Sequence, residues 1–145
     1  SAEACARAAA HAEANGGADR FEVIEANVFD LLRDLERAGR RFDLVILDPP
    51  SFTRRKTAVE AALRGYKEIN LRALACLRPG GLLATFSCSH HVSPAVFEEV
   101  CRAAAGDARR QVRVRAPFGQ APDHPVLLAV PETRYLKGLL LEALE

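Results

Sequence analysis

The stretch "FDLVILDPPSF", residues 42–52, decides how the rest of the chain is read. Phe42 to Asp48 is β-branched, aliphatic and apolar on both faces, the pattern of a central parallel strand covered by helices on each side. The run then meets an acid, two prolines, a serine and a phenylalanine. Each proline fixes φ near ~−65° and removes a backbone donor. The loop is therefore stiff, and its carbonyls are free to face a ligand. A lone aspartate at a strand end most often caps a turn; two adjoining rings shift the balance toward a built site.

Reading outward, "SAEACARAAAHAEANGG" (1–17) is alanine-rich and stops at Asn15-Gly16-Gly17, so it predicts a helix with a C-terminal cap. "FEVIEANVF" (21–29) predicts a strand with a loop at Ala26-Asn27, and "DLLRDLERAG" (30–39) a short helix ending at Gly39. Residues 58–78 predict a long helix, with Ala62, Tyr66, Ile69, Ala73 and Leu77 at helical spacing and Gly65 as its weak point. "RPGG" (78–81) is a stop, and "LLATFSC" (82–88) the next strand. Ser93-Pro94 places a capping serine before a proline at the first helical position. "QVRVRAPF" (111–118) alternates as a strand, "HPVLLAV" (124–130) reads as a buried strand, and the tail "RYLKGLLLEAL" suits a strand or a helix. The alternation predicts an α/β fold with a largely parallel sheet. Two late strands with no helix between them make one antiparallel. Ligands are expected beyond the carboxyl ends of the strands, where Asp48 and Cys88 both fall.

The chain has 145 residues, 49% hydrophobic and 27% charged, which suits one domain (1–145). No apolar run reaches the ~20 residues of a membrane helix, and no basic-then-apolar leader argues for secretion. The net charge of +1 says nothing about partners. Cys5, Cys76, Cys88 and Cys101 form no CxxC pair, so they read as reduced cytoplasmic thiols and not as a metal site. The chain starts inside a helical pattern without a methionine, and a preceding N-terminal piece is expected.

Four stretches, in order, carry a resemblance. "FDLVILDPPSF" resembles motif IV of class I S-adenosylmethionine (SAM)-dependent methyltransferases, and "LRPGGLLATFSCSH" resembles their motif V–VI region. With "GYKEINLRAL" (65–74) and "DHPVLLAVPETRYLKG" (123–138), the chain is similar to the C-terminal part of the bacterial 23S ribosomal RNA cytosine-5 methyltransferases of the large-subunit methyltransferase I type. The resemblance implies a Rossmann-like sheet lacking its first strand–helix units, SAM as methyl donor, and 23S ribosomal RNA as partner. It implies neither metal nor membrane.

On that resemblance, Asp48 is expected to hold the protonated ring nitrogen 3 or the exocyclic amine of cytosine and to stabilise charge developing on the ring. Pro49, Pro50, Ser51 and Phe52 form the edge of the base pocket. Phe52 either stacks on a base, worth ~1–3 kcal/mol, or sits as a core aromatic under the loop. Carbon 5 of cytosine is too poor a nucleophile to take a methyl group directly. A thiolate added to carbon 6 turns the ring into an enamine whose carbon 5 can attack a sulfonium methyl. Cys88, in "SCSH" at a strand's carboxyl end and just ahead of a helix N-terminus, is the expected nucleophile. Cys5, Cys76 and Cys101 lie inside helical patterns and read as inert. Relatives with asparagine at this position methylate a base nitrogen, so Cys88 is what argues for carbon. His90 is either a proton acceptor or a solvated loop histidine.

"EANVFD" resembles motif III, with Asn27 and Val28 toward the adenine edge of the donor. The family's glycine-rich loop has no counterpart, so these 145 residues alone are expected to bind SAM weakly. Arg54 and Arg55, in "RRK" after the proline loop, are placed to meet RNA phosphates. Lys67 either meets a phosphate or lies on a solvated helix face. The arginines of "RRQVRVR" (109–115) read as charge guarding an edge strand. The rival readings are a related methyltransferase acting on a base nitrogen and a non-catalytic α/β RNA-binding module.

Overall fold

The structure, a computed structural model, describes residues 1–53 and 56–144, with only the backbone described at Lys56. Arg54 and Arg55 therefore lie outside the described residues. The chain divides into two compact units, Ser1–Leu31 and Leu32–Glu145.

In the first unit, helix α1 (Ala2–Ala14) follows from its alanines and from Ser1, whose Oγ accepts the Ala4 N–H at 3.3 Å. It ends at Asn15, followed by Gly16 at φ +64°. The strand expected at 21–29 does not form. Residues 21–25 belong to no helix or strand, no described strand pairs with them, and Phe21 and Ile24 are exposed. A strand needs a neighbour for its N–H and C=O groups. The Asn27 side chain then accepts the Phe29 N–H at 2.9 Å and starts helix α2 (Val28–Arg37) two residues earlier than expected.

The second unit takes in the rest of α2, then strand β1 (Phe42–Leu47), helix α3 (Val59–Ala75), strand β2 (Leu77–Ser87), helix α4 (Pro94–Asp107), strand β3 (Val112–Phe118) and strand β4 (Lys137–Ala143). The described strands form one sheet in the order β1-β2-β4-β3. β1 and β2 are parallel, while β4 runs antiparallel to both β2 and β3. Three strands thus share one direction and β4 alone opposes them, which is the mostly parallel α/β sheet the sequence implied.

Three expectations need correction. β1 stands at the end of this order, with Leu44 and Ile46 51% and 62% exposed, so its apolar face is not covered as a central strand's would be. β2 begins at Leu77, ahead of the expected stop, because Gly80 at φ +78° turns the chain without ending the ladder. Residues 124–130 are not a strand. Residues 127–130 close a tight turn, Val130 N–H donating to the Leu127 carbonyl at 3.0 Å, and Leu128 is fully exposed. Pro125 and Pro131 bracket the segment and cannot donate to a ladder. The place between β2 and β3 goes to the tail strand β4, whose Leu139, Leu141 and Ala143 are buried.

The core lies between the sheet and the α3–α4 pair. Tyr66, Ile69, Ala73 and Leu74 of α3 and Phe97 and Ala104 of α4 are at most 1% exposed. α3 runs through Gly65 without a break. Gly138 is needed where it stands, since a Cβ there would lie 2.4 Å from the Phe86 ring, which stacks on Phe118.

Candidate active site

Leu47 pairs with Thr85 across the parallel ladder, so Asp48 and Cys88 leave the sheet at the carboxyl ends of neighbouring strands. This is the rim at which open α/β sheets bind ligands. Asp48 is exposed, and its carboxylate makes no hydrogen bond or ion pair among the described residues. It is not spent on capping the turn. Cys88 is half-buried, a free thiol between the buried Ser87 and Ser89.

The two rim loops are tied together by hydroxyl groups. Ser51 Oγ donates to the Thr53 carbonyl at 2.7 Å and lies 2.9 Å from Ser89 Oγ, which is 2.9 Å from the Tyr66 hydroxyl. Each hydroxyl has one proton, and that of Ser51 is committed to Thr53. Ser89 therefore donates to Ser51, and Tyr66 donates to Ser89. The chain fixes the proline loop to the Cys88 loop from beneath, since Tyr66 and Ser89 are fully buried. Phe52 is half-buried with its ring centroid 4.5 Å from that of Tyr66, packed over the same tyrosine.

From β4, Lys137 reaches the same loop. It is paired with Ser87, is 9% exposed, and its Nζ donates to the Ser89 carbonyl at 2.6 Å. Burial pulls its pKa below the ordinary lysine value, and the negative charge of a Cys88 thiolate pulls it back up. An open groove of about 880 Å³ passes Lys137, lined also by His90, Pro94, Phe97, Phe118 and Arg134. His90 and His91 are exposed. Ser93 caps α4 by accepting the Val96 N–H at 3.2 Å, with Pro94 first in the helix as the sequence indicated.

The remaining expected residues are placed as follows. Pro49 is half-buried and Pro50 exposed. Lys67 forms an ion pair with Asp107 at 2.7 Å and so joins α3 to α4. Asn27 and Val28, in the first unit, are exposed at the start of α2. The Asn27 Oδ1 keeps a second lone pair beside its bond to Phe29, and the Val28 N–H, first in the helix, has no intrahelical acceptor. Tyr66, Ser89 and Lys137 were not assigned from the sequence. Tyr66 read as one apolar residue of a helical stripe, and Lys137 as one residue of a tail without assigned structure.

Over most of its length the chain is similar to proteins named ribosomal RNA large subunit methyltransferase I. It is 46% identical over 127 residues to that of Photobacterium profundum, covering 87% of this chain and 32% of the relative. The figures are 46% over 122 residues, 84% and 31%, for Shewanella frigidimarina, and 46% over 125 residues, 86% and 32%, for Vibrio parahaemolyticus. The chain thus spans about a third of the length of the curated relatives it matches. No family model matches. Among solved structures, SMU.776, described as a methyltransferase and solved with SAH, has a TM-score of 0.71 at 21% identity, covering 92% of this chain and 34% of that one. TrmN from Thermus thermophilus has a TM-score of 0.60 at 21% identity, covering 94% and 32%. These likenesses bear out the class I methyltransferase fold. In sequence, this chain is homologous to a part of the ribosomal RNA large subunit methyltransferase I proteins that makes up about a third of their length.

Proposed function

We propose that the chain is the part of a SAM-dependent methyltransferase that holds and activates its substrate base, and that the base is a cytosine of large-subunit ribosomal RNA, methylated at carbon 5. One observation carries the reading: a carboxylate with no partner among the described residues, Asp48, and a half-exposed thiol, Cys88, end neighbouring parallel strands whose loops are tied to each other through Ser51 and Ser89. The 46% identity to the large subunit methyltransferase I proteins supports ribosomal RNA as the substrate class.

The residues at the start of α2 fit the adenine edge of SAM, because Asn27 offers an acceptor and Val28 a donor, both exposed. When bound, SAM supplies a methyl group on a sulfonium. The chain's own residues do the rest. Asp48 accepts hydrogen bonds from the exocyclic amine and from the protonated ring nitrogen 3 of cytosine. Its negative charge offsets the positive charge of that protonated ring, so that thiolate addition leaves a neutral enamine. The Cys88 thiolate forms a bond to carbon 6, and the electron pair released from the 5,6 double bond makes carbon 5 a nucleophile. After methylation, loss of the carbon 5 proton to a base restores the double bond, and the thiolate leaves. Pro49, Pro50 and Ser51 keep the carboxylate in place, with Phe52 wedged against Tyr66. Arg54, Arg55 and Lys67 remain candidates for contacts to RNA phosphates.

The test is methyl transfer from labelled SAM to large-subunit ribosomal RNA by the full-length gene product. Cys88→Ala is expected to abolish turnover, by at least about a thousandfold, as loss of a covalent nucleophile does. RNA carrying 5-fluorocytosine should trap a covalent complex with the wild type and not with the variant. Near-normal turnover in Cys88→Ala would instead favour methylation of a base nitrogen.

A further inference from the structure

Lys137 poses a problem of charge. Its side chain is 9% exposed, and a buried ammonium is costly unless an anion answers it. Its bond is to a neutral acceptor, the Ser89 carbonyl. The ionisable groups that line the groove with it are His90 beyond β2, Glu98 on α4, and Glu132 and Arg134 ahead of β4. None of them forms an ion pair or hydrogen bond with Lys137 among the described residues. The thiol nearest in the chain to its contacts is Cys88, one residue beyond its ladder partner Ser87 and one before the Ser89 whose carbonyl holds its Nζ.

We propose that Lys137 is the counter-charge of the Cys88 thiolate, a buried ammonium anchored on the Ser89 carbonyl that keeps the nucleophile ionised and beside the ring. The inference rests on Cys88 being the nucleophile. Lys137 keeps its proton throughout: the sulfur–carbon 6 bond forms and later breaks, and the returning negative charge on sulfur meets the same ammonium. Lys137 is thus a positioning residue, acting through Cys88 and not on the base. The anchor also fixes its reach, because the Nζ cannot follow an RNA phosphate without giving up the Ser89 carbonyl inside the fold.

The experiment reads thiol chemistry in the full-length protein, without methyl transfer. Cys88 is alkylated with iodoacetamide over a range of pH and its rate followed by peptide mass spectrometry. In Lys137→Met the rate at neutral pH is expected to fall about tenfold or more and to rejoin the wild type at high pH, since an opposite charge within a few ångströms moves an ionisation by about one to three pH units. Lys137→Arg, which keeps the charge, should stay within about threefold of wild type. An unchanged rate in the methionine variant, or an equal loss in both variants, overturns the pairing.

A second measurement does not depend on either lysine variant folding. By reciprocity, the Lys137 amine should titrate at lower pH in Cys88→Ala than in wild type, as followed by NMR of labelled lysine. An unmoved titration overturns the inference. Its failure stays separable from failure of the proposed function: turnover in Cys88→Ala decides the nucleophile, whereas these readings decide its partner.

Discussion

Cys88 and Cys101 are the same group in two regions built on different principles. Cys101 lies in α4, inside the helical layer that covers the sheet, 3% exposed and 3.9 Å from the Asn70 Oδ1. Burial pushes its pKa up to about 12. Cys88 lies on the rim, half-exposed, at a strand end and one residue before Ser89, whose carbonyl holds the buried Lys137 ammonium. Sequence spacing separates them as helix interior and strand terminus, and packing turns that difference into reactivity. In a layer of close-packed side chains a thiol is a small hydrophobe; at a strand end it faces the solvent-side cleft.

The contrast can be broken first where its effect is largest. In a native protein at neutral pH, Cys101 should alkylate more than about a thousandfold slower than an ordinary thiol, from its ionisation alone. Cys88 should be modified first, as peptide mapping at short times will tell. Equal labelling of the two would erase the distinction. The same shift acts on stability. The folded pKa of Cys101 is raised from 9.0 to about 12, so its contribution is full below about pH 9 and is lost as the pH rises toward 12. Cys101→Ala should flatten that alkaline loss in denaturant titrations.

How much of this was legible in the sequence follows from what each element depends on. α3 and the DPPSF loop depend on local signals, namely helical spacing from Ala62 to Ala73 and two adjacent prolines, and both were readable. Segments 21–29 and 124–130 have the composition of strands, but a strand exists only with a partner, which no local pattern supplies. β4 won the place beside β2 because "KGLLLEA" puts Gly138 under the Phe86 ring and three apolar side chains into the core. That choice is tertiary. The site divides the same way. Asp48 and Cys88 were visible because each marks a strand end, whereas Lys137 and Tyr66 act through side chains reaching across the fold.

A smaller effect sharpens what holds the rim. Ser89→Ala removes the acceptor of the Tyr66 hydroxyl and the donor to Ser51, leaving a fully buried phenol without a partner. The cost is expected to be about 1–3 kcal/mol, a fall in Tm of roughly 3–10 °C. Adding Tyr66→Phe, which removes the stranded hydroxyl, should recover part of it in a double-mutant cycle. Simple additivity of the two would show that the hydroxyl chain does not join the loops.

The smallest effect tests whether every buried polar group near the rim has such a part. Thr85 is fully buried in β2, level with Leu47, and its Oγ1 has no hydrogen-bond partner among the described residues. Unlike Ser89 it ties nothing to anything. A buried hydroxyl without a partner costs free energy, and valine has nearly the same shape without the polar atom. Thr85→Val is therefore expected to leave stability within about 0.5 kcal/mol of wild type or to raise it by about 1 kcal/mol. Chemical denaturation reads this directly. A loss of 2 kcal/mol or more would mean that the Thr85 hydroxyl is satisfied in solution, and would place it among the groups that organise the rim.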